Sequence, residues 1–239
     1  MASLSEIWSR FDAGNELHKR ILTGTVLAFS VLILLLLGGP FFAGLILLCA
    51  MLMIQEWNEL TQNESRRFQL AGYAYVLLPC LSLLMLRTLV FPDFAELEAE
   101  TSPLPVLHLL CIVIATDVGA FAAGRILGRH KIAPAISPSK TWEGLAGGVL
   151  AAGIISMSFA PFLVFPTSTL SALLLGVVLA IISQTGDFFE SWLKRRAGVK
   201  DSGHLLPGHG GILDRVDGLT FAAPFYLFTA ILGGGISLT

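Results

Sequence analysis

Seven apolar stretches, at approximately 21–39, 41–57, 70–90, 104–124, 144–165, 168–189 and 219–236, constrain this chain more than any other feature. Each approaches the ~20 apolar residues that an α-helix needs to cross a hydrocarbon core. Lipid offers a backbone amide no partner, so such runs must satisfy their hydrogen bonds internally, as helices. The rest of the chain cannot clothe a water-soluble globule. Charged residues make up 13% of the sequence, against about 25% in an ordinary soluble domain. The expected fold is all-α, a polytopic integral membrane bundle of about seven spans, within a range of about six to nine. Gly38-Gly39-Pro40 separates the first two runs and reads as a tight hairpin. The first run is not expected to be a cleaved signal peptide, because six more follow and no small-residue cleavage site closes it.

Basic residues orient the bundle. With the N-terminus in the cytoplasm, the inner segments hold Arg10, Lys19, Arg20, Arg66, Arg67, Arg125, Arg129, Lys131 and Lys140. They also hold Lys194, Arg195, Arg196, Lys200 and Arg215, which leaves Arg87 alone near an outer end. The outer loop after the third run carries Asp93, Glu96, Glu98 and Glu100 and no base. An N-in, C-out topology follows. The net charge of −2 gives no ground for a nucleic-acid partner. Cys49, Cys80 and Cys111 each sit inside an apolar run, with neither disulfide nor metal-ligand spacing, and read as small buried hydrophobes. Polarity divides the chain. Residues 1–110 read as transmembrane scaffold, and residues 111–239 as the catalytic region, with a polar site at the cytoplasmic face.

Three polar constellations carry the chemistry. In the run Ser183 to Arg195, helical geometry puts Asp187, Glu190, Ser191 and Lys194 on one face, with Phe188, Phe189, Trp192 and Leu193 opposite. A salt-bridged interfacial helix end would account for the stripe. Asp187, however, lies at its membrane end, where an acid needs a cation or metal. The second constellation runs from Lys200 to Asp217. Its glycines, with Pro207, specify a tight loop whose backbone can approach a ligand closely. Asp214 and Asp217 follow at i, i+3 and, if helical, can present two carboxylates to one centre. Oxygen ligands beside cationic side chains suit magnesium bridging a polyphosphate. Dipole-favoured acids at a helix N-terminus are the alternative for these two. Zinc is not expected, since His204 and His209 lack the ligand spacing. In the third, Asp117, Ala120, Gly124 and Gly128 share a face that is small except for the acid, which permits close helix packing around a polar centre. Asp117 is either part of a site or half of a structural pair. Arg125, Lys131 and the segment Ser137-Pro138-Ser139-Lys140-Thr141 follow; the segment lacks the P-loop pattern but can offer hydroxyls and an ammonium to phosphate.

Carboxylates, bases and a glycine loop thus converge at the cytoplasmic end of a bundle. A nucleoside triphosphate can reach that place from the cytosol and a lipid from the bilayer, so phosphoryl or nucleotidyl transfer onto a lipid headgroup fits. A CTP- or ATP-dependent polyprenol-type lipid kinase is the nearest alternative. A transporter would show repeated halves with broken spans at matching positions, whereas here the polar chemistry lies in one half.

The stretch Ser191 to Asp217 resembles the phosphatidate cytidylyltransferases (CDP-diacylglycerol synthases). It does so through Ser191-x-Leu193-Lys194-Arg195, Lys200-Asp201, Gly203, Leu206-Pro207, His209-Gly210-Gly211 and Asp214-Arg215-x-Asp217. The resemblance extends to Asp117…Gly124-Arg125, Ser137 to Gly144, Ser183-x-x-Gly186-Asp187 and the pair Glu56-Trp57. Gly218 departs from it, in a place where Ser is expected. The resemblance implies that phosphatidic acid and CTP give CDP-diacylglycerol and pyrophosphate, with magnesium, two ions, as the cofactor. It implies a metal and triphosphate centre at Asp187, Asp214 and Asp217, with Ser191, Lys194 and Arg215 positioning phosphate oxygens. Lys200, Lys140 and Ser139 are the further candidates for CTP or the lipid phosphate, and Asp117 and Arg125 are grouped with them on the substrate side. It also implies a homodimer in the bacterial plasma membrane. His204 and His209 are expected to shape the loop rather than to act as acid or base.

Overall fold

The computed structural model describes residues 23–88, 102–163, 168–203, 205 and 210–233. Each of the seven apolar runs carries a helix. We number them α1 (Thr23–Leu37), α2 (Gly39–Leu60), α3 (Arg66–Thr88), α4 (Leu104–Ile126), α5 (Trp142–Phe159), α6 (Thr169–Arg196) and α7 (Leu213–Leu232). Five of them, α2 to α6, are long and apolar enough to cross a membrane, with α5 prolonged by a 3-10 turn over Ala160–Phe162. The helix α1 is shorter, and α7 begins with Asp214, Arg215 and Asp217. Among the described residues, the one addition to the expected all-α architecture is a small antiparallel hairpin between α4 and α5. Its strands β1 (Lys131–Ala133) and β2 (Ser137–Thr141) pair Lys131 with Thr141 and Ala133 with Ser137. The N-terminal basic residues, the acidic outer loop, His204 and His209 lie outside the described residues.

The hairpin expected at Gly38-Gly39-Pro40 is present. Gly38 and Gly39 take φ of +63° and +48°, the left-handed region that a side chain disfavours, and α2 starts at once. Arg87, the base that the expected topology leaves near an outer end, is buried against this turn. Its Nε donates to the Leu35 carbonyl over 3.1 Å, which satisfies a carbonyl in the last turn of α1.

Helices in lipid gain little from apolar burial alone and associate through close packing and hydrogen bonds. Both devices operate here. On α4, Thr116, Gly119, Ala120 and Gly124 meet Gly144, Gly147, Gly148 and Ala151 of α5. The approach is so close that a Cβ on Gly147 would lie 2.3 Å from the Ala123 Cβ and 2.8 Å from the Gly119 carbonyl. The same device joins α5 to α6, where a Cβ on Gly176 would sit 2.7 Å from the Ala152 carbonyl.

The hydrogen-bonded device is a chain centred on His108, which is fully buried in α4. Its Nδ1 is 2.8 Å from Tyr226 Oη and its Nε2 is 3.0 Å from Ser156 Oγ, while Ser156 Oγ donates to the Ala172 carbonyl over 2.6 Å. The Ser156 proton is committed to that carbonyl, so Nε2 must carry the imidazole proton and Tyr226 must donate to Nδ1. One neutral histidine thereby joins α4, α5, α6 and α7.

The α4–α5 contact sets a clear expectation. Gly147→Val should cost roughly 1–3 kcal/mol through overpacking, seen as a lower thermal unfolding midpoint in detergent. Leu150→Val on the exposed face of the same helix should leave the midpoint nearly unchanged.

Candidate active site

The C-terminal ends of α2, α4 and α6 and the N-terminal ends of α3, α5 and α7 gather at one end of the bundle. Contacts between the connections bind that end together. Arg196, at the end of α6, pairs with Glu64 in the α2–α3 turn, its Nη2 donating to Oε2 over 2.8 Å, and this hydrogen bonding holds the Glu64 carboxyl below its usual range. Phe68, Trp57, Tyr75, Phe189, Trp192 and Phe221 form a continuous aromatic net across α2, α3, α6 and α7. The aromatic face expected of α6 is thus its packing face. Phe188 differs, since it turns to the other side, beneath Lys140, whose Nζ stands 4.3 Å from the ring centroid.

The charged stripe of α6 faces α7. One oxygen each of Asp187, Glu190 and Asp217 lies within 4.8 Å of the others. Gly186 permits this approach, because a Cβ there would lie 2.4 Å from the Asp217 carbonyl. Glu190 is fully buried. The Lys194 ammonium bridges Glu190 Oε2 and Asp214 Oδ1, each at 2.6 Å, and Ser191 Oγ is 3.4 Å from Asp187 Oδ1. Lys140 pairs with Asp187 from the other side.

Asp214 is tied to the glycine loop. Its Oδ2 accepts from the amides of Ser202 and Gly211, each over 2.9 Å, and from Ser202 Oγ over 3.0 Å. Gly210 has a φ of +77°, and a Cβ there would stand 2.6 Å from Asp214 Oδ2. The described glycines of the loop therefore close around carboxylates of the protein itself. Of the three acids expected to form one centre, Asp187, Asp214 and Asp217, the structure groups two with Glu190 and sets Asp214 apart, against Lys194 and the loop. Asp187 and Asp217 stand with Glu190, and Lys194 connects them to Asp214.

Beside Asp187 opens a cavity of about 400 Å³, lined among others by Asp117, Arg125, Ser139, Lys140, Thr141 and Gln184. The hairpin carries Ser139 and Lys140 to it. Thr141 then ends β2 and caps α5, its side chain accepting from the Gly144 amide over 3.1 Å. Glu143, in the first turn of α5, secures the other strand by accepting from the amides of Arg129 and His130. Asp117 accepts from Gln184 Nε2 over 3.3 Å and faces the cavity. Arg125 is exposed at its rim, and Lys200 and Arg215 are exposed, the one before the glycine loop and the other at the start of α7.

Sequence reasoning gave no role to two acids of this site. Glu190 shares the face of Asp187 and Lys194 at i, i+3 and i, i+4 spacing, so its place was open to view. Glu56 is 1% exposed and accepts from the amides of Ile212 and Leu213 and from Ser202 Oγ. Its sequence signals were an acid ending an apolar run and the Glu56-Trp57 pair of the family resemblance, neither of which points to the loop.

Comparison with known proteins identifies the family. The model of the cytidylyltransferase family matches residues 18–102 and 70–232 in two overlapping segments. A phosphatidate cytidylyltransferase of Rickettsia felis is 36% identical over 223 residues, spanning 91% of this chain and 93% of that protein. One of Bacillus subtilis is 35% identical over 265 residues, spanning 91% and 98%. One of Brucella suis is 41% identical over 184 residues, spanning 77% and 63%. The two matched segments contain Glu56, the hairpin, the α6 stripe and the glycine loop, and the chain belongs to the cytidylyltransferase family.

Proposed function

We propose that this protein is a CTP:phosphatidate cytidylyltransferase of the bacterial plasma membrane, working at the cytoplasmic end of its bundle. The observation that carries the reading is the position of Asp187. It touches Lys140 in a cavity roomy enough for polar groups and stands within the carboxylate cluster at the membrane end of α6. A water-soluble nucleotide and a lipid headgroup can meet only at such a place.

Magnesium is the cofactor that the donor set supports. Asp187, Glu190, Asp214 and Asp217 bring four carboxylates into one connected group, and Lys140 and Lys194 bring two ammonium groups. Two negative charges stand uncompensated if all are ionised, in a place where unpaired charge is costly. The ligands are hard oxygens and include no sulfur or imidazole, which suits a small divalent cation. Asp187 and Asp217 would hold it. Asp214, whose oxygens are engaged by Lys194, Ser202 and Gly211, would keep the loop and Lys194 in place. When bound, the ion neutralises triphosphate charge.

The chemistry needs little else. A phosphate monoester has a second pKa of about 6 and is mostly dianionic at neutral pH. The phosphatidate oxygen therefore attacks the α-phosphorus of CTP without a general base. A new P–O bond forms, the α–β bridging P–O bond breaks, and pyrophosphate leaves with its electron pair. The obstacle is repulsion between polyanions, which Lys140, Lys194 and Arg125 counter by position and charge. A lipid kinase would instead need a base on an alcohol and would move the γ-phosphoryl.

Incubating the purified protein with phosphatidic acid, magnesium and CTP labelled at the α- or the γ-phosphate separates these chemistries. Alpha label in the lipid with release of pyrophosphate is expected; γ label, or neither, would overturn the assignment. Asp187→Asn and Asp217→Asn should each lower kcat by at least ~10²-fold, the scale of losing charge stabilisation in the transition state. Both should also weaken Mn²⁺ binding read by electron paramagnetic resonance. Lys140→Met should act mainly on CTP, raising its KM by roughly tenfold, as loss of one charge-assisted contact would.

A further inference from the structure

Glu56 is the element of this site whose placement sequence spacing does not explain. It lies near the end of α2, 1% exposed, while among the described residues the groups it bonds lie 146 to 157 residues further along the chain. Its Oε1 accepts from the Ile212 amide over 2.8 Å; its Oε2 accepts from the Leu213 amide over 2.9 Å and from Ser202 Oγ over 3.1 Å.

A helix begins with amides that have no partner within it. Ordinarily the N-cap residue supplies the acceptor from its own Ser, Thr, Asn or Asp side chain. The N-cap of α7 is Ile212, which has no such atom. Glu56 supplies the missing acceptor from another helix. The glycine loop is built to let it in, since a Cβ on Gly203 or Gly211 would lie 2.8 or 2.5 Å from a Glu56 oxygen. The single Ser202 Oγ proton is shared between Glu56 Oε2 and Asp214 Oδ2, at 3.1 and 3.0 Å, and joins this cap to the Asp214–Lys194–Glu190 chain.

We propose that Glu56 is a positioning residue for the transfer reaction. It fixes where α7 begins and therefore which way Asp214 and Asp217 face. A slip of α7 by one residue would turn Asp217 by about 100° and move it by ~1.5 Å, away from Asp187 and Glu190. The role rests on the cytidylyltransferase reading. It assigns Glu56 to the geometry of the transition state and not to the binding of either substrate.

The test uses the full-length protein in lipid, comparing Glu56→Gln, Ser202→Ala and the double variant. Glutamine keeps the volume but has one acceptor oxygen, and it turns an N–H group toward an amide donor. Glu56→Gln should lower kcat by roughly 10- to 100-fold, the effect of leaving a buried donor unmatched, with KM for CTP and phosphatidate within about threefold. Ser202→Ala should have a smaller effect. The double variant should be no slower than Glu56→Gln alone, because the two act through one network. Hydrogen exchange gives a readout independent of turnover. The Ile212 and Leu213 amides should exchange at least ~10-fold faster in Glu56→Gln, as loss of their acceptor requires, with the α4 and α5 amides unchanged. Should Glu56→Gln not yield folded protein, Glu56→Asp carries the test. It keeps the charge on a shorter arm and should recover part of kcat at unchanged KM. Unaltered exchange at 212 and 213, a loss confined to KM, or multiplicative effects in the double variant would overturn the proposal. An inactive wild type would instead sink the transferase reading, while the exchange rates would still decide whether Glu56 holds α7.

Discussion

Carboxylates at the membrane end of a helical bundle must be matched, by hydrogen-bond donors or by positive charge, and the structure of this protein is arranged around that requirement. An unmatched ion in such surroundings costs several kcal/mol. Asp214 and Glu56 are matched by donors, namely backbone amides, the Ser202 hydroxyl and, for Asp214, Lys194. Asp187 and Glu190 are matched by ammonium groups from β2 and from one turn further along α6. The acids satisfied by amides hold the backbone in place. Those left to cations form the reactive side, where a bound divalent ion and a triphosphate can rearrange the pairing without unfolding a loop.

Positioning these groups requires the glycines. The close α4–α5 contact brings the hairpin between them against α6, which is how Lys140 reaches Asp187. At the α6–α7 crossing, Gly186 allows the Asp217 backbone to approach, and the two carboxylates then face one another. Gly203, Gly210 and Gly211 do the same for the loop around Glu56 and Asp214. A glycine in a membrane helix or at its end thus acts here by the absence of a Cβ, and a side chain at any of these points would separate charges whose value depends on distance.

The helices were legible in the sequence because each lies on a mostly apolar run, although only α2 to α6 are long and apolar enough to span, and Gly38-Gly39-Pro40 marked its turn for a plain stereochemical reason. The α6 stripe was legible too, since helical periodicity alone sets Asp187, Glu190, Ser191 and Lys194 on one face. The glycine loop was visible as a loop that something approaches closely, but composition could not tell a ligand from Glu56. The contact spans 146 residues or more and leaves no periodic trace. The division of labour between Asp214 and Glu190 was hidden for a related reason. Spacing at i, i+3 pairs Asp214 with Asp217 on one helix. The crossing of α6 and α7 decides which of them looks at Asp187.

That crossing also explains why a scaffold of greasy spans is needed by a site that lies at the other end of the sequence. Helix α7 is anchored at its start by Glu56 and further along by Tyr226, which His108 ties to α4 and, through Ser156, to α5 and the Ala172 carbonyl of α6. Two polar anchors more than ten residues apart fix both the axial position and the rotation of a helix, which apolar packing in lipid determines poorly. Asp214 and Asp217 lie between them. Asp217, which with Asp187 would hold the ion, and Asp214, which holds the loop, are thereby set by hydrogen bonds made elsewhere, from α2 and from α4.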